Sequence, residues 1–277
     1  MCEIMTTNLP LKIGASLTID VLPIYREWLI KDQRDLEIQD PCNANVLDGD
    51  WQSLVCQAHD ILDGHTGHLS IHGPWNGLNL ICPDRRVQDL VKTRLKQALE
   101  FGIALGATQM VLHSPFDFFG SPMVAHTPGQ GLADEITQAR TTLAELLPLV
   151  QQANCTILIE TCYDTNSAPL LALVQSFNSD HVRICLDTGH AFVTQRIGGP
   201  PPDQWVRDAH EWLGSVHLQD TDGLFDRHWA PGEGNINWYA IFEALSEMDH
   251  QPRLLLEIDH KKILPAIDWL ADHGFGC

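Results

Sequence analysis

Positive charge is scarce in this chain: 17 lysines and arginines face 36 aspartates and glutamates, for a formal net charge of −19. That imbalance repels nucleic acid and anionic lipid unless metal ions or a local basic patch intervene; with the segment DPCNANVLDGD also lacking lysine and arginine, duplex DNA is not an expected partner. No apolar run is long enough to cross a bilayer, and the opening MCEIMTTNLP has no basic head followed by an apolar stretch. Cytoplasmic residence without a membrane partner is expected. The eight cysteines, at positions 2, 42, 56, 82, 155, 162, 185 and 277, form no CxxC pair and read as reduced thiols. No linker, low-complexity tract or close repeat argues for a second domain, so residues 1–277 are read as one domain.

What is present suits a large single core. Hydrophobic residues make up 44% of the 277 positions, enough to bury a core without disulfides. Eight short apolar runs read as strands: KIGASLT from Lys12, DLEIQ from Asp35, HLSIHG from His68, QMVLHS from Gln109, CTILIE from Cys155, VRICLD from Val182, SVHLQD from Ser215 and RLLLEID from Arg253. Amphipathic stretches separate them. After the third run, Val87, Leu90, Val91, Leu95, Ala98 and Leu99 recur at helical spacing, with Gly106 as the stop. A second helix carries Ile136, Leu143, Leu147 and Val150, with Pro148 expected to kink its last turns. Strand and helix alternating eight times predicts an α/β fold, the (β/α)8 TIM barrel, with function at the C-terminal ends of the strands. Long loops there, after strands 4, 6 and 7 (SPFDFFGSPMVAHTPGQG, AFVTQRIGGPPPD and TDGLFDRHWAPGEGNINW), suit substrate-covering segments.

Nine metal-ligand types recur at those ends: His72, His113, Glu160, Asp187, His190, His217, Asp226, His228 and Glu257. Alternation along a strand lets His72, His113, Glu160, Asp187, His217 and Glu257 face inward above small or apolar residues two positions earlier. A lone strand-end His or Asp is usually a satisfied polar group, but six consecutive strands ending this way point to a polynuclear metal site. Asp187 and His190 fall where a strand turns into a helix, so Asp187 reads either as a ligand or as an N-cap. Asp226 and His228, two apart in a loop, suit chelation of one ion or a plain turn with His228 exposed. Cys162 and Cys185 share strand parity with Glu160 and Asp187 and read as packing groups. Trp75, Phe116, Phe118, Phe119 and Trp229 fall in the mouth loops, where they would stack on a sugar or pack the loops. Arg196, Arg227, Lys261 and Lys262 are the only bases near the expected mouth.

CLDTGHAF, VHLQD and DRHWAPGEGNI resemble segments of the xylose isomerase-like TIM barrels, which include sugar isomerases, epimerases and endonuclease IV. The resemblance runs from strand 1 to strand 8. It implies a trinuclear site: His72, His113 and a bridging Glu160 on one ion; Asp187, His217 and Glu257 on the second; His190, Asp226 and His228 on the third. Single-metal isomerases of this group resemble only the subset Glu160, Asp187, His217 and Glu257. The endonuclease pattern is departed from after strand 2, where DPCNANVLDGD holds three aspartates and no lysine or arginine.

Two activities are therefore expected in competition. The first is a metal-dependent isomerase or epimerase of a sugar, sugar phosphate or polyol, in which Glu160 and Glu257 exchange a carbon-bound proton and His190 assists at oxygen. Trp75, Phe116, Arg227, Trp229 and Lys261 would contact the small carbohydrate or phosphorylated substrate. The second is an endonuclease IV-like phosphoesterase. A non-catalytic metal-binding barrel or a multi-iron oxygen-using enzyme is a third possibility. Two or three divalent ions, of zinc, manganese or iron, are expected, since His and carboxylate donors suit all three.

Overall fold

The computed structural model describes residues 11–116 and 131–277. Phe118, Phe119 and most of the loop after strand 4 lie outside the described residues. Eight parallel strands close a barrel in sequence order: β1 Ile13–Leu17, β2 Leu36–Ile38, β3 Leu69–His72, β4 Gln109–His113, β5 Thr156–Glu160, β6 Val182–Asp187, β7 Leu213–Leu218 and β8 Arg253–Leu256. Helices pack outside between successive strands, the arrangement of a TIM barrel. Among the described residues, no helix is long and apolar enough to cross a membrane.

Helix Arg85–Leu105 stops at Gly106, which takes the left-handed conformation a β-carbon disfavours. Val91, Leu95, Ala98 and Leu99 bury as the spacing predicts, but Val87 and Leu90 face solvent. The later amphipathic stretch is two helices, Leu132–Ala144 and Leu147–Gln152, because Pro148 opens the second rather than kinking one continuous helix. The segment after β6 also differs from expectation: Thr188–Gln195 is helical from the strand end onward, so only the part from Arg196 is loop.

Strand β7 starts two residues before the predicted run. Ile184 pairs with Leu213 and Cys185 with Ser215, so Gly214 is an extra residue on β7. A β-carbon there would lie 2.7 Å from the end of the Leu158 side chain, which would have to shift to admit one. Above the bulge the register resumes with Asp187 opposite His217, placing both at the same height in the barrel mouth. Below them Val111, Leu158 and Cys185 form a small apolar cluster inside the barrel, separate from the main core between strands and helices.

Candidate metal centre

Glu160 closes β5 and is 1% exposed, yet it has a partner on either side. Its Oε2 lies 3.2 Å from Nε2 of His72, the last residue of β3, and 3.3 Å from Nε2 of His113, the last of β4. Its Oε1 lies 2.7 Å from Nδ1 of His217 on β7. Glu257, one residue past β8, brings Oε2 to 3.0 Å from that same His217 Nδ1. The parallel register therefore places donors from distant parts of the sequence around one carboxylate.

Four groups of donor atoms each fall within 4.8 Å of one another: His72–His113–Glu160, Glu160–Asp187–His217–Glu257, His190–Asp226–His228 and Glu160–Cys185–His217. The first three coincide with the three sets implied by the sequence resemblance. The fourth adds the buried thiol of Cys185, which burial pushes up to about 12 and so keeps protonated.

The imidazoles are oriented by their outer nitrogens. Nδ1–H of His72 donates to Gly73 O, that of His190 to Thr161 O, and that of His228 to Glu257 O, at 2.8–2.9 Å. Each such bond turns Nε2 toward the carboxylates, as in the outer partners of metal-bound histidines. His217 is reversed: Nδ1 faces the cluster, and Nε2 lies 3.3 Å from Glu37. His113 is instead stacked on Trp75, with ring centroids 5.1 Å apart and planes 16° from parallel.

The carboxylates are oriented in turn by two glutamines that sequence reasoning missed. Gln39 Nε2 donates to Glu257 Oε1 at 2.9 Å. Gln219 Nε2 donates to Asp187 Oδ1 at 3.1 Å and to Asp226 Oδ1 at 2.6 Å, while its Oε1 accepts from His228 N. Gly189 makes room for it, since a β-carbon there would sit 2.2 Å from the Gln219 amide. The available signal was the polar Gln in VHLQD, directly after the strand's last apolar residue.

Of the two roles left open by the sequence for Asp187, the N-cap is seen. Its Oδ1 caps helix Thr188–Gln195 by accepting from His190 N at 2.6 Å. Its Oδ2 is buried without a hydrogen-bond partner. A fully buried carboxylate oxygen left unpaired is costly, and a cation bound among Glu160, His217 and Glu257 would satisfy it. The residues present therefore fit a divalent ion. Burial, opposed by His190 and reinforced by Glu160 and Glu257, pushes the Asp187 carboxyl up to about 6.

The remaining charges pair ionised carboxylates with imidazoles. Against burial, His72, His190 and His217 are raised well above the ordinary histidine range by their carboxylate and thiol neighbours, so a cation would bind with loss of their protons. Burial opposes ionisation of Glu257, but His217 holds it down at about 2. Against the same burial penalty, His217 and His72 hold Glu160 below the ordinary carboxylate range. Burial brings His113 down to about 4, leaving a neutral donor. His228 moves the other way: the Asp226 hydrogen bond and nearby carboxylates outweigh burial and raise it to about 9.

The third group rests on the loop after β7. Asp226 Oδ2 lies 3.3 Å from His190 Nε2 and 3.0 Å from His228 Nε2. His228 takes φ of 48°, a left-handed conformation that costs a non-glycine residue about 1 kcal/mol or more. Asp220 braces the loop: fully buried, it accepts from Gly232 N, Ile236 N and Trp238 Nε1 and pairs in a bridge with Trp229. The final Asp of VHLQD is thus a loop anchor.

Above these groups the mouth opens into a cavity of about 990 Å³ with Trp75, Asn79, Tyr163, Val193, Leu224 and Phe225 in its wall. Of the expected substrate contacts, only Trp75 lines it. Phe116 is 3% exposed in the main core. Arg227 pairs with Asp222 and lies over Phe225 and Trp229, Lys261 is exposed outside the cavity, and Lys262 pairs with Glu233. No lysine or arginine lines the cavity among the described residues. The sequence placed these bases near the mouth from loop position alone, which says nothing of side-chain direction.

Residues 37–273 match the xylose isomerase-like TIM barrel family. The chain is 22% identical over 216 residues to an uncharacterized protein of Methanocaldococcus jannaschii, covering 75% of this chain and 69% of that one. Among solved structures, the TTHB071 protein from Thermus thermophilus, soaked with zinc chloride, superposes with TM-score 0.73 and 22% identity, over 95% of this chain and 99% of its own. A D-tagatose 3-epimerase-like protein gives TM-score 0.74 and 21% identity, over 95% and 97%. At such identities the likeness to these structures bears on the fold.

Proposed function

The chain belongs to the xylose isomerase-like TIM barrel family, and from that premise we propose that it is a metal-dependent isomerase or epimerase of a small, uncharged sugar or polyol. The observation that carries this reading is the pair Glu160 and Glu257, whose carboxylates reach His217 Nδ1 from two strands at the floor of the cavity. Two ionised carboxylates converging on one site can remove a proton from a carbon beside a carbonyl and return it. A divalent ion held by Glu160, Asp187, His217 and Glu257 would stabilise negative charge developing on the substrate oxygens. Gln39 keeps one Glu257 oxygen bound and leaves the other to face the site. His190 Nε2, its Nδ1 fixed on Thr161 O, is oriented to move a proton at a substrate oxygen. The apolar wall of Trp75, Tyr163 and Phe225 suits the face of a sugar ring, and a wall without lysine or arginine suits an uncharged one. The D-tagatose 3-epimerase-like protein among the structural neighbours supports this class by its name.

A second reading is a phosphoesterase that resembles endonuclease IV. It is favoured by one observation, the third donor group His190–Asp226–His228, which a single-ion isomerase does not require. The test is a panel of free ketoses and aldoses incubated with the manganese- or zinc-loaded protein in deuterium oxide. Deuterium entering the carbon beside the carbonyl is the expected result. Hydrolysis of phosphate esters by the same preparation, without exchange, would overturn the isomerase reading in favour of the second.

A further inference from the structure

The reversed imidazole of His217 has a cause on the opposite side of the barrel. Glu37 is the middle residue of β2, 0% exposed, and its carboxylate points into the barrel below the mouth. In register it is flanked by Ser16 on β1 and Ser70 on β3. Ser16 Oγ donates to Oε1 at 3.0 Å and Ser70 Oγ to Oε2 at 3.4 Å. Its other partner is Nε2 of His217, 3.3 Å from both oxygens. A carboxylate buried this deeply, with no lysine or arginine beside it, is an expensive way to hold a barrel together, and an apolar residue would pack better. His72, His190 and His228 are oriented by backbone carbonyls, whereas His217 depends on a side chain.

We propose that Glu37 is a positioning residue for the metal centre: by accepting the Nε2–H of His217 it fixes that ring with Nδ1 as the ligating atom beside Glu160, Asp187 and Glu257. The inference rests on the metal-dependent reading above. Three consequences follow from the geometry. The Nε2 proton stays in place while Nδ1 gives its lone pair to a cation. The negative charge of Glu37 makes the imidazole a stronger donor. Both effects reach the ion through His217, since Glu37 contacts neither the cavity nor any other proposed ligand.

The test measures zinc affinity of the metal-stripped protein by competition with a chromogenic chelator. Glu37→Gln keeps the size and removes the charge. It is expected to weaken zinc binding by about 10–100-fold, with the circular dichroism spectrum of the wild type retained. Should Glu37→Gln fail to fold, histidine-selective nitrogen-15 spectra of the zinc-loaded wild type decide alone: His217 is expected with Nδ1 on the metal and a protected Nε2–H. Equal affinity in wild type and variant, or zinc on His217 Nε2, would overturn the role of Glu37. Wild-type protein that takes up no zinc would overturn the metal reading itself and this inference with it.

Discussion

Nδ1 of His217 lies 2.7 Å from Oε1 of Glu160, joining β7 to β5 across the floor of the barrel mouth. Through this contact Glu160 serves two donor groups at once, because its other oxygen faces His72 and His113. Glu160→Gln keeps the shape but removes the charge and one acceptor. Turnover is expected to fall by on the order of a thousandfold, as for loss of a catalytic acid or base, and Glu257→Gln is expected to do the same. Steady-state kinetics on a substrate from the deuterium-exchange panel, with circular dichroism to confirm folding, checks this. Turnover within tenfold of wild type in either variant contradicts the assignment.

Asp226 and His228 separate the two functional readings. In an isomerase the third group lies at the edge of the chemistry, so Asp226→Ala combined with His228→Ala is expected mainly to raise KM. In a phosphoesterase the same change removes stabilisation of the leaving oxygen and lowers kcat by about a hundredfold or more. Neither parameter changing would show that the two residues have no part in either reaction.

Gly189 tests the brace around Asp187. A β-carbon there meets the Gln219 amide, which spans Asp187 and Asp226. Gly189→Ala is expected to displace Gln219 and destabilise the fold by about 1–3 kcal/mol. The readout is the denaturation midpoint in urea. An unchanged midpoint with unchanged zinc affinity would mean that Gln219 has room to move at no cost.

Duplex DNA offers a check on charge. The chain carries −19 overall and no lysine or arginine lines the described cavity wall. A duplex with an abasic site, at physiological salt, is expected to bind weakly and to be incised slowly or not at all. Rapid metal-dependent incision at nanomolar enzyme would reverse the ranking of the two readings.

The barrel and its convergent strand ends were legible because both rest on short-range periodicity. Alternation along each strand fixes which residues face inward, and six strands from β3 to β8 carry a donor at or next to the end. Glu37 was not legible: its meaning comes from His217, 180 positions away, and a single glutamate in DLEIQ has no local pattern to mark it. Gln39 escaped for the same reason, whereas Gln219 had a local mark, its place in VHLQD directly after the strand's last apolar residue. Loop side chains were the least readable. Phe116 turned inward to the core and Arg227 paired with Asp222, choices set by neighbours that sequence spacing does not reveal. The extra residue at Gly214 also left no mark beyond the glycine itself, so β7 begins two residues before the apolar run that announced it.

We propose that the donors from β3 to β8 and the loop after β7 hold more than one ion, the group His190–Asp226–His228 adding to the set Glu160, Asp187, His217 and Glu257. Elemental analysis of protein purified without chelator, and again after incubation with zinc and manganese followed by desalting, tests it most directly. More than one equivalent of transition metal per chain is expected, falling by about one equivalent when Asp226 and His228 are both replaced by alanine. At most one equivalent in the wild type, even after loading, would contradict the polynuclear centre and leave a single ion on Glu160, Asp187, His217 and Glu257.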